Sequence, residues 1–195
     1  MSNTHHDDAN GAPSLRKDPC EFEWVRLDDL SEVTLQGSHD GRCVWVTFNR
    51  PHRLNALNKG LLRDLCLVFE ALASPQGAAV GVVVLTGAGR GFCSGADLKA
   101  VAGGDGPSEA WDSRLLFNQR AFSRVVSKIR RAPQLVVAAL NGLCVGGGFS
   151  IACACDVRFA VGSAKLHANF AQLGLSSCEL GVSHSLPRLI GLGRT

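Results

Sequence analysis

The stretch LVVAALNGLCVGGGFS, residues 135–150, joins an apolar run to a second apolar segment through a glycine-rich turn. Its first six residues have the continuous apolar pattern of a strand that is buried on both faces. Residues 141–147 predict the turn, and residues 148–155 predict a short buried helix. Because a helix start leaves backbone N–H groups without intrahelical partners, this turn would present amides to a negatively charged group.

A second glycine-rich turn, GFCSGADLK at residues 91–99, follows another apolar run, VGVVVLT at residues 80–86. If the two turns meet in space, their amides would form an oxyanion hole, a set of donors for developing negative charge. Glycine is also the default turn residue, so tight connections between strand and helix explain both segments equally well. The chain contains no GxGxxG dinucleotide pattern, no GK[ST] phosphate loop and no GxSxG nucleophile turn.

Strands alternate with helices along the rest of the chain, which indicates an α/β fold. Asp40-Gly41 predicts the turn of a hairpin, and Asn58 predicts the N-cap of a helix that runs through Ala73. The glycine-rich segments 87–95 and 141–147 are both expected to be loops without strands. The other predicted elements are strands at residues 33–35, 44–48, 80–86, 135–140 and 156–160 and a long helix at residues 109–131.

Length and composition exclude several classes of protein. The chain has 195 residues, of which 46% are hydrophobic and 19% are charged, so wholesale disorder is excluded. Residues 1–20 read as a disordered tail, and residues 21–195 are expected to form one core domain. The net charge of +3, with mixed signs, gives no electrostatic reason to expect binding to nucleic acid or to a membrane surface.

Eight cysteines are present, but none forms a CxxC pair or stands at zinc spacing with a histidine pair. No metal site is therefore expected. Residues 1–10 are polar and lack the apolar segment of a signal peptide, so we expect a cytoplasmic protein without disulfides. Most of the cysteines lie among apolar neighbours, which predicts buried thiols that pack as small hydrophobic groups.

Five groups of short motifs follow one another in order between residues 33 and 195. They are NRP with LNAL (49–51, 54–57), FCSGADLK (92–99), ALNG with GGG and CD (139–142, 146–148, 155–156), GL (174–175) and LPRLIG (186–191). In this order they resemble the crotonase, or enoyl-CoA hydratase/isomerase, superfamily. The resemblance implies a crotonase-like spiral of ββα turns and acyl-CoA thioester substrates. Coenzyme A would enter as part of the substrate, without a separate cofactor.

The resemblance also implies where the site lies. Two backbone amides, at the positions matching Ala96 and Gly147, would hold the thioester oxygen, and one such donor is worth about 3 kcal/mol in comparable sites. Arg53 and Lys99 match a region that holds the coenzyme A nucleotide, although solvated surface cations explain them as well. The whole set matching that region is Arg53, Leu54, Ala56, Asp97, Leu98 and Lys99.

Two positions depart from the hydratases of the family, which use two glutamates to add water across a double bond. The chain has Ser150 at the first position and Phe170 at the second, and neither can transfer protons as a carboxylate does. Counted back from LPRLIG, Glu179 matches the aspartate of dienoyl-CoA isomerases and 4-chlorobenzoyl-CoA dehalogenases. A glutamate at a helix N-terminus, stabilising the adjacent turn, explains Glu179 equally well.

Three functions are therefore open. The first is an enoyl-CoA hydratase that adds water to 2-enoyl-CoA in fatty-acid metabolism. The second is an enoyl- or dienoyl-CoA isomerase with Glu179 as its only carboxylate. The third is an acyl-CoA-binding protein without turnover. The resemblance further implies C-terminal helices after Thr195, so a C-terminally truncated core is expected, in a trimer-type homo-oligomer or with a separately encoded C-terminal fragment.

Overall fold

The structure, a computed structural model, describes residues 25–99, 108–176 and 178–195. Within these ranges, the side chains of Leu27, of residues 108–118, of Leu173 and of Glu179 are outside the description. The tail predicted at residues 1–20 lies outside the described residues, so its disorder and the boundary of the core domain stay predictions.

The main sheet has five strands in the following order: β1 (Val33–Gly37), β2 (Cys43–Phe48), β3 (Val82–Gly87), β5 (Leu135–Leu140) and β7 (Val157–Ala160). The β1 and β2 strands form the predicted hairpin, in which Gly41 takes a φ of +70° at the turn. All later neighbours pair in parallel, which requires connections across the sheet through helices.

A second, smaller sheet holds the two glycine-rich segments side by side. Its parallel strands are β4 (Gly91–Cys93), β6 (Leu143–Val145) and β8 (Leu166–His167), in the order β4-β6-β8. The prediction of loops without strands at residues 87–95 and 141–147 is therefore wrong. Strands of three residues are too short to show an alternating pattern, and only pairing with a distant segment defines them.

Four α-helices have both ends within the described ranges: α1 (Lys59–Leu72), α2 (Ser108–Arg131), α3 (Gly147–Ala154) and α4 (Val182–Ile190). The α1 helix begins as predicted, because the Asn58 side-chain oxygen accepts a 2.8 Å hydrogen bond from the Leu61 N–H. Short 3-10 helices occupy Leu27–Asp29, Pro51–Arg53, Pro75–Ala79, Ala171–Leu173, Glu179–Gly181 and Leu192–Arg194. None of the helices within the described ranges is long and apolar enough to cross a membrane.

One hydrophobic core lies between the main sheet and the helices. It joins Val44, Val46 and Phe48 of β2 to Leu61 and Leu65 of α1, all of which are fully buried. The same cluster reaches the small sheet, where Phe92 lies with its ring centroid 5.2 Å from that of Phe48. Packing of this cluster therefore fixes the position of β4, and with it the first glycine-rich turn.

Four of the seven cysteines in the described residues are buried thiols, as predicted: Cys93, Cys144, Cys153 and Cys155. Burial raises the pKa of Cys93 to about 12, because a charged thiolate is poorly solvated in an apolar core. The same cause raises the pKa of Cys155 to about 12. Cys178, in contrast, is exposed.

We expect iodoacetamide to label Cys178 of the folded protein at pH 8 long before it labels Cys93. The thiolate is the reactive species, and a pKa near 12 leaves about one thiolate in 10⁴ at this pH. Peptide mass spectrometry after timed quenching measures each rate, and the urea-unfolded chain is the control in which the two rates converge. Equal labelling of Cys93 in the folded and unfolded chain would contradict its burial.

Candidate functional site

The two glycine-rich turns are in contact with each other, and the buried Leu57 bonds to the first of them. The Leu57 N–H donates to the Gly95 carbonyl at 2.7 Å, and the Leu57 carbonyl accepts from the Asp97 N–H at 3.0 Å. Gly95 has a φ of +90°, and a Cβ atom there would lie only 2.9 Å from the Val145 carbonyl oxygen and 3.4 Å from the Gly147 nitrogen. Only glycine allows this approach, so residues 91–99 and 141–150 form one site.

The Ala96 amide points away from Leu57. Leu57 and Ala96 form a parallel β-bridge. The backbone N–H and carbonyl of Leu57 bond to Gly95 and Asp97, the two neighbours of Ala96, and not to Ala96 itself. The alternation of a strand then turns the Ala96 N–H to the opposite side, toward the second turn. No acceptor among the described residues receives this N–H.

The Gly147 amide is the first of the α3 helix. Its N-cap, Gly146, has a φ of +52°, and the first helical bond runs from the Ser150 N–H to the Gly146 carbonyl at 3.0 Å. The Gly147 N–H precedes that bond and has no acceptor within the described part of the chain. Ala96 and Gly147 thus place two N–H groups without acceptors among the described residues on adjoining turns, the arrangement that an oxyanion hole requires, and their binding of a thioester oxygen stays a prediction.

Both amides open on a pocket of about 140 Å³. The side chains that line it are mostly apolar: Leu98, Phe122, Val145, Phe170, Leu175 and Leu180. Ser94, Gln119 and Asn169 are the polar side chains among its described lining. An apolar wall of this kind suits an acyl chain, and a bound chain that displaces water from it would strengthen hydrogen bonds to a charged oxygen. No cluster of three or more potential metal ligands occurs among the described residues.

The structure places the two positions that depart from the hydratase pattern differently. Ser150 is 1% exposed, and its hydroxyl donates to the Gly146 carbonyl at 3.2 Å inside α3, away from the pocket lining. Phe170 packs directly into the pocket wall. Glu179 begins the 3-10 helix that also contains the pocket residue Leu180, but its side chain is outside the description. Its role as acid or base stays a prediction.

The residues predicted to hold coenzyme A lie on the two segments that Leu57 joins. Arg53 and Lys99 are exposed, and Leu98 is 54% exposed beside the pocket. The Asp97 carboxylate differs, because it accepts a 3.0 Å hydrogen bond from Arg50 and is largely buried. Leu54 has a left-handed φ of +50°, and Ala56 is buried, so these two shape the backbone of the segment. Contact of all six with coenzyme A stays a prediction.

Arg50 holds the first glycine-rich turn in place through its contacts with Asp97 and Ala56. The sequence analysis did not predict this role. Its guanidinium lies 3.1 Å from the Glu32 carboxylate and 3.0 Å from that of Asp97, and it also donates to the Ala56 carbonyl. The side chain of Arg50 is 11% exposed. Arginine is usually a surface residue, so only its place in the NRP motif distinguished Arg50 from the other arginines of the sequence.

Two asparagines hold the loop between β3 and β4. Asn55 is fully buried and donates to the carbonyls of Ala88 at 2.9 Å and Gly91 at 2.8 Å. Asn141 donates to the carbonyls of Gly87 at 2.8 Å and Gly89 at 2.9 Å. These four bonds satisfy the carbonyls of an irregular loop and of the first residue of β4.

Comparisons with known proteins agree with this geometry. Residues 40–194 match the family model for enoyl-CoA hydratase/isomerase. The chain is 41% identical over 154 residues to "Probable enoyl-CoA hydratase echA12" of Mycobacterium leprae, covering 76% of this chain and 50% of that protein. It is 32% identical over 153 residues to the mitochondrial Δ(3,5)-Δ(2,4)-dienoyl-CoA isomerase of Mus musculus, covering 75% and 45%. The chain thus spans about half the length of these relatives.

Solved structures show the same fold. The enoyl-CoA hydratase from Bacillus anthracis superposes with a TM-score of 0.73 at 32% identity, over 84% of this chain and 60% of that one. A Thermobifida fusca protein in complex with acetoacetyl-CoA gives a TM-score of 0.71 at 32% identity, over 86% and 66%. Motif order, fold, paired turns and family model agree, and we conclude that the chain belongs to the enoyl-CoA hydratase/isomerase family, within the crotonase superfamily.

Proposed function

We propose that this chain binds acyl-CoA thioesters in the pocket between its two glycine-rich turns and acts on 2-enoyl-CoA as a hydratase. The observation that carries the proposal is the pair of amides at Ala96 and Gly147, both without acceptors among the described residues and both open to an apolar pocket. The name of the Mycobacterium leprae relative and the acetoacetyl-CoA complex of the Thermobifida fusca protein support it.

The chemistry follows from the charge that develops on the thioester oxygen. Addition of a nucleophile at C3, or removal of a proton beside the carbonyl, turns the thioester into an enolate-like species. Two fixed N–H donors stabilise that oxygen more than the uncharged carbonyl, and one donor is worth about 3 kcal/mol in similar sites. Coenzyme A would be part of the substrate, and no further cofactor is invoked in this mechanism.

A second function, isomerisation, is favoured by the surroundings of Ser150 and Phe170. The Ser150 hydroxyl is bonded within α3 and Phe170 is apolar, so neither residue can activate water. Moving a double bond needs only one group that takes a proton from one carbon and returns it to another. Glu179 would be that group, and the likeness to a dienoyl-CoA isomerase supports this alternative.

A cytoplasmic location, a trimer-type homo-oligomer and a separately encoded C-terminal fragment as partner stay predictions.

The test compares the unmodified chain with Glu179→Gln on crotonyl-CoA and on a 3,5-dienoyl-CoA, with acyl-CoA binding measured by calorimetry. If Glu179 transfers the proton, we expect the variant to lose about 100-fold or more in kcat while its Kd changes little. Glu70→Gln is the matched control, because Glu70 lies on α1 in an ion pair with Lys128.

Each outcome separates the candidates. Hydration of crotonyl-CoA by the unmodified chain supports the hydratase, and turnover of the dienoyl-CoA alone supports the isomerase. Binding without any turnover supports an acyl-CoA-binding protein. Full activity of Glu179→Gln removes the role of Glu179, and a chain that binds no acyl-CoA overturns the proposed function.

A further inference from the structure

Asn169 lies beside the amide-bearing turn. It follows β8, in which His167 pairs with Val145, and the His167 carbonyl accepts a 3.0 Å hydrogen bond from the Gly146 N–H. Two residues further along, Asn169 is one of the residues that line the same pocket as Gly147. Asn169 is therefore tied by backbone pairing to the same turn that would bind the thioester oxygen.

The Asn169 side chain has an unmet hydrogen bond. Its Oδ1 is out of contact with solvent and has no donor among the described residues. The other two polar side chains of the pocket differ: the Ser94 hydroxyl lies 3.5 Å from the Arg53 carbonyl, and Gln119 is exposed to water. A buried acceptor without a donor is costly, and a ligand that brings a donor would remove that cost.

An unbranched alkyl chain brings no such donor. A hydroxyl group does, and it can also accept a hydrogen bond from the Nδ2 of the same amide. The χ2 torsion of asparagine is broad, so rotation about it can turn Oδ1 toward a ligand in the pocket. The amide does not titrate near neutral pH, so its contribution would be recognition and not proton transfer.

We propose that Asn169 is a specificity-determining residue, which selects acyl chains that carry a hydroxyl group over unsubstituted chains of the same length. This inference rests on the proposed function, because it requires an acyl chain in this pocket. It adds the chemical group that the pocket recognises and the side chain that recognises it. A site with a buried polar group discriminates strongly against an analogue that leaves the group unpaired.

The experiment measures Kd by calorimetry for butyryl-CoA and for each enantiomer of 2-hydroxybutyryl-CoA, which a hydratase that adds water at C3 does not convert. We expect the unmodified chain to bind one hydroxylated enantiomer about tenfold more tightly than butyryl-CoA. Asn169→Leu, which keeps the approximate volume and removes the amide, should reduce that ratio to about one while it retains butyryl-CoA binding. Gln76→Leu is the control and should keep the ratio, because Gln76 is exposed on the Pro75–Ala79 3-10 helix, outside the described pocket lining.

Retained binding of butyryl-CoA by Asn169→Leu shows that the variant is folded and that its pocket is intact. Equal affinities of the unmodified chain for all three ligands would overturn this inference and leave the proposed function standing. A tenfold preference that persists in Asn169→Leu would also overturn it, because another group would then bind the hydroxyl. Absence of binding to every ligand by the unmodified chain would overturn both proposals.

Discussion

Gly148→Ala is expected to abolish turnover of acyl-CoA and to lower the free energy of unfolding by about 3 kcal/mol. A Cβ atom at this position would lie 2.6 Å from both the Cβ and the carbonyl oxygen of Cys93. Because β4 is paired with β6, the backbone at Cys93 cannot yield without breaking the small sheet. The α3 helix would have to move away, and the Gly147 amide at its start would move with it.

The loss of activity follows from that displacement. A shift of about 1 Å in a catalytic group can cost about 100-fold in rate, and loss of one oxyanion donor costs a similar factor or more. Urea unfolding and kcat/KM with crotonyl-CoA measure the two effects. Gly162→Ala is the matched control, because nothing lies within 4 Å of a Cβ atom there. Unchanged stability of Gly148→Ala would contradict the close contact between α3 and β4.

Asp64→Ala is expected to lower the free energy of unfolding by about 3 kcal/mol, because it removes a buried carboxylate that accepts two backbone hydrogen bonds. Asp64 is fully buried on α1. Its Oδ2 accepts hydrogen bonds from the N–H groups of Ser31 and Glu32, both at 2.7 Å. Its Oδ1 accepts from the Arg63 guanidinium at 2.8 and 3.0 Å. The variant would remove the shared acceptor of the Ser31 and Glu32 N–H groups, whereas the Arg63 guanidinium, whose side chain is 56% exposed, can bond to water instead.

Urea denaturation with both fluorescence and circular dichroism measures this change. Asp28→Ala is the control, because Asp28 is exposed and its loss should change stability little. If Asp64→Ala does not fold, Asp64→Asn is measured instead. It keeps the shape and one acceptor oxygen, so its free energy of unfolding is expected to lie between those of Asp64→Ala and Asp28→Ala. A stability of Asp64→Ala equal to that of the Asp28 control would show that the network contributes nothing to folding.

The features that depend on neighbouring residues were predictable from the sequence. Asn58 caps α1 through a bond to Leu61, three residues away, and Gly41 turns the first hairpin, so local chemistry indicated both. The paired amides were predicted because a motif resemblance marked Ala96 and Gly147 together. The residues alone left open whether the two turns form an oxyanion hole or are ordinary connections.

Features that depend on distant pairing were not predictable in the same way. The β4 and β6 strands exist because Gly91 pairs with Leu143, more than fifty residues away. Burial of Arg50 follows from Glu32 and Asp97 on either side of it, and that of Asp64 from the backbone of Ser31. Asn169 gave no signal in the sequence, because an unmet hydrogen bond is visible only when every neighbour of the amide has been placed.

Leu57 bonds to Gly95 and Asp97, the two neighbours of Ala96, and so holds the Ala96 amide in place. The affinity for acyl-CoA therefore depends on how completely the chain is folded. The two amides come from segments some fifty residues apart, and neither segment alone forms a binding surface. Any substitution that populates a partly open state removes that fraction of molecules from the binding equilibrium. Apparent Kd then rises by the inverse of the closed fraction, even when the substituted residue lies far from the ligand. Acyl-CoA, in turn, would stabilise the closed chain by mass action.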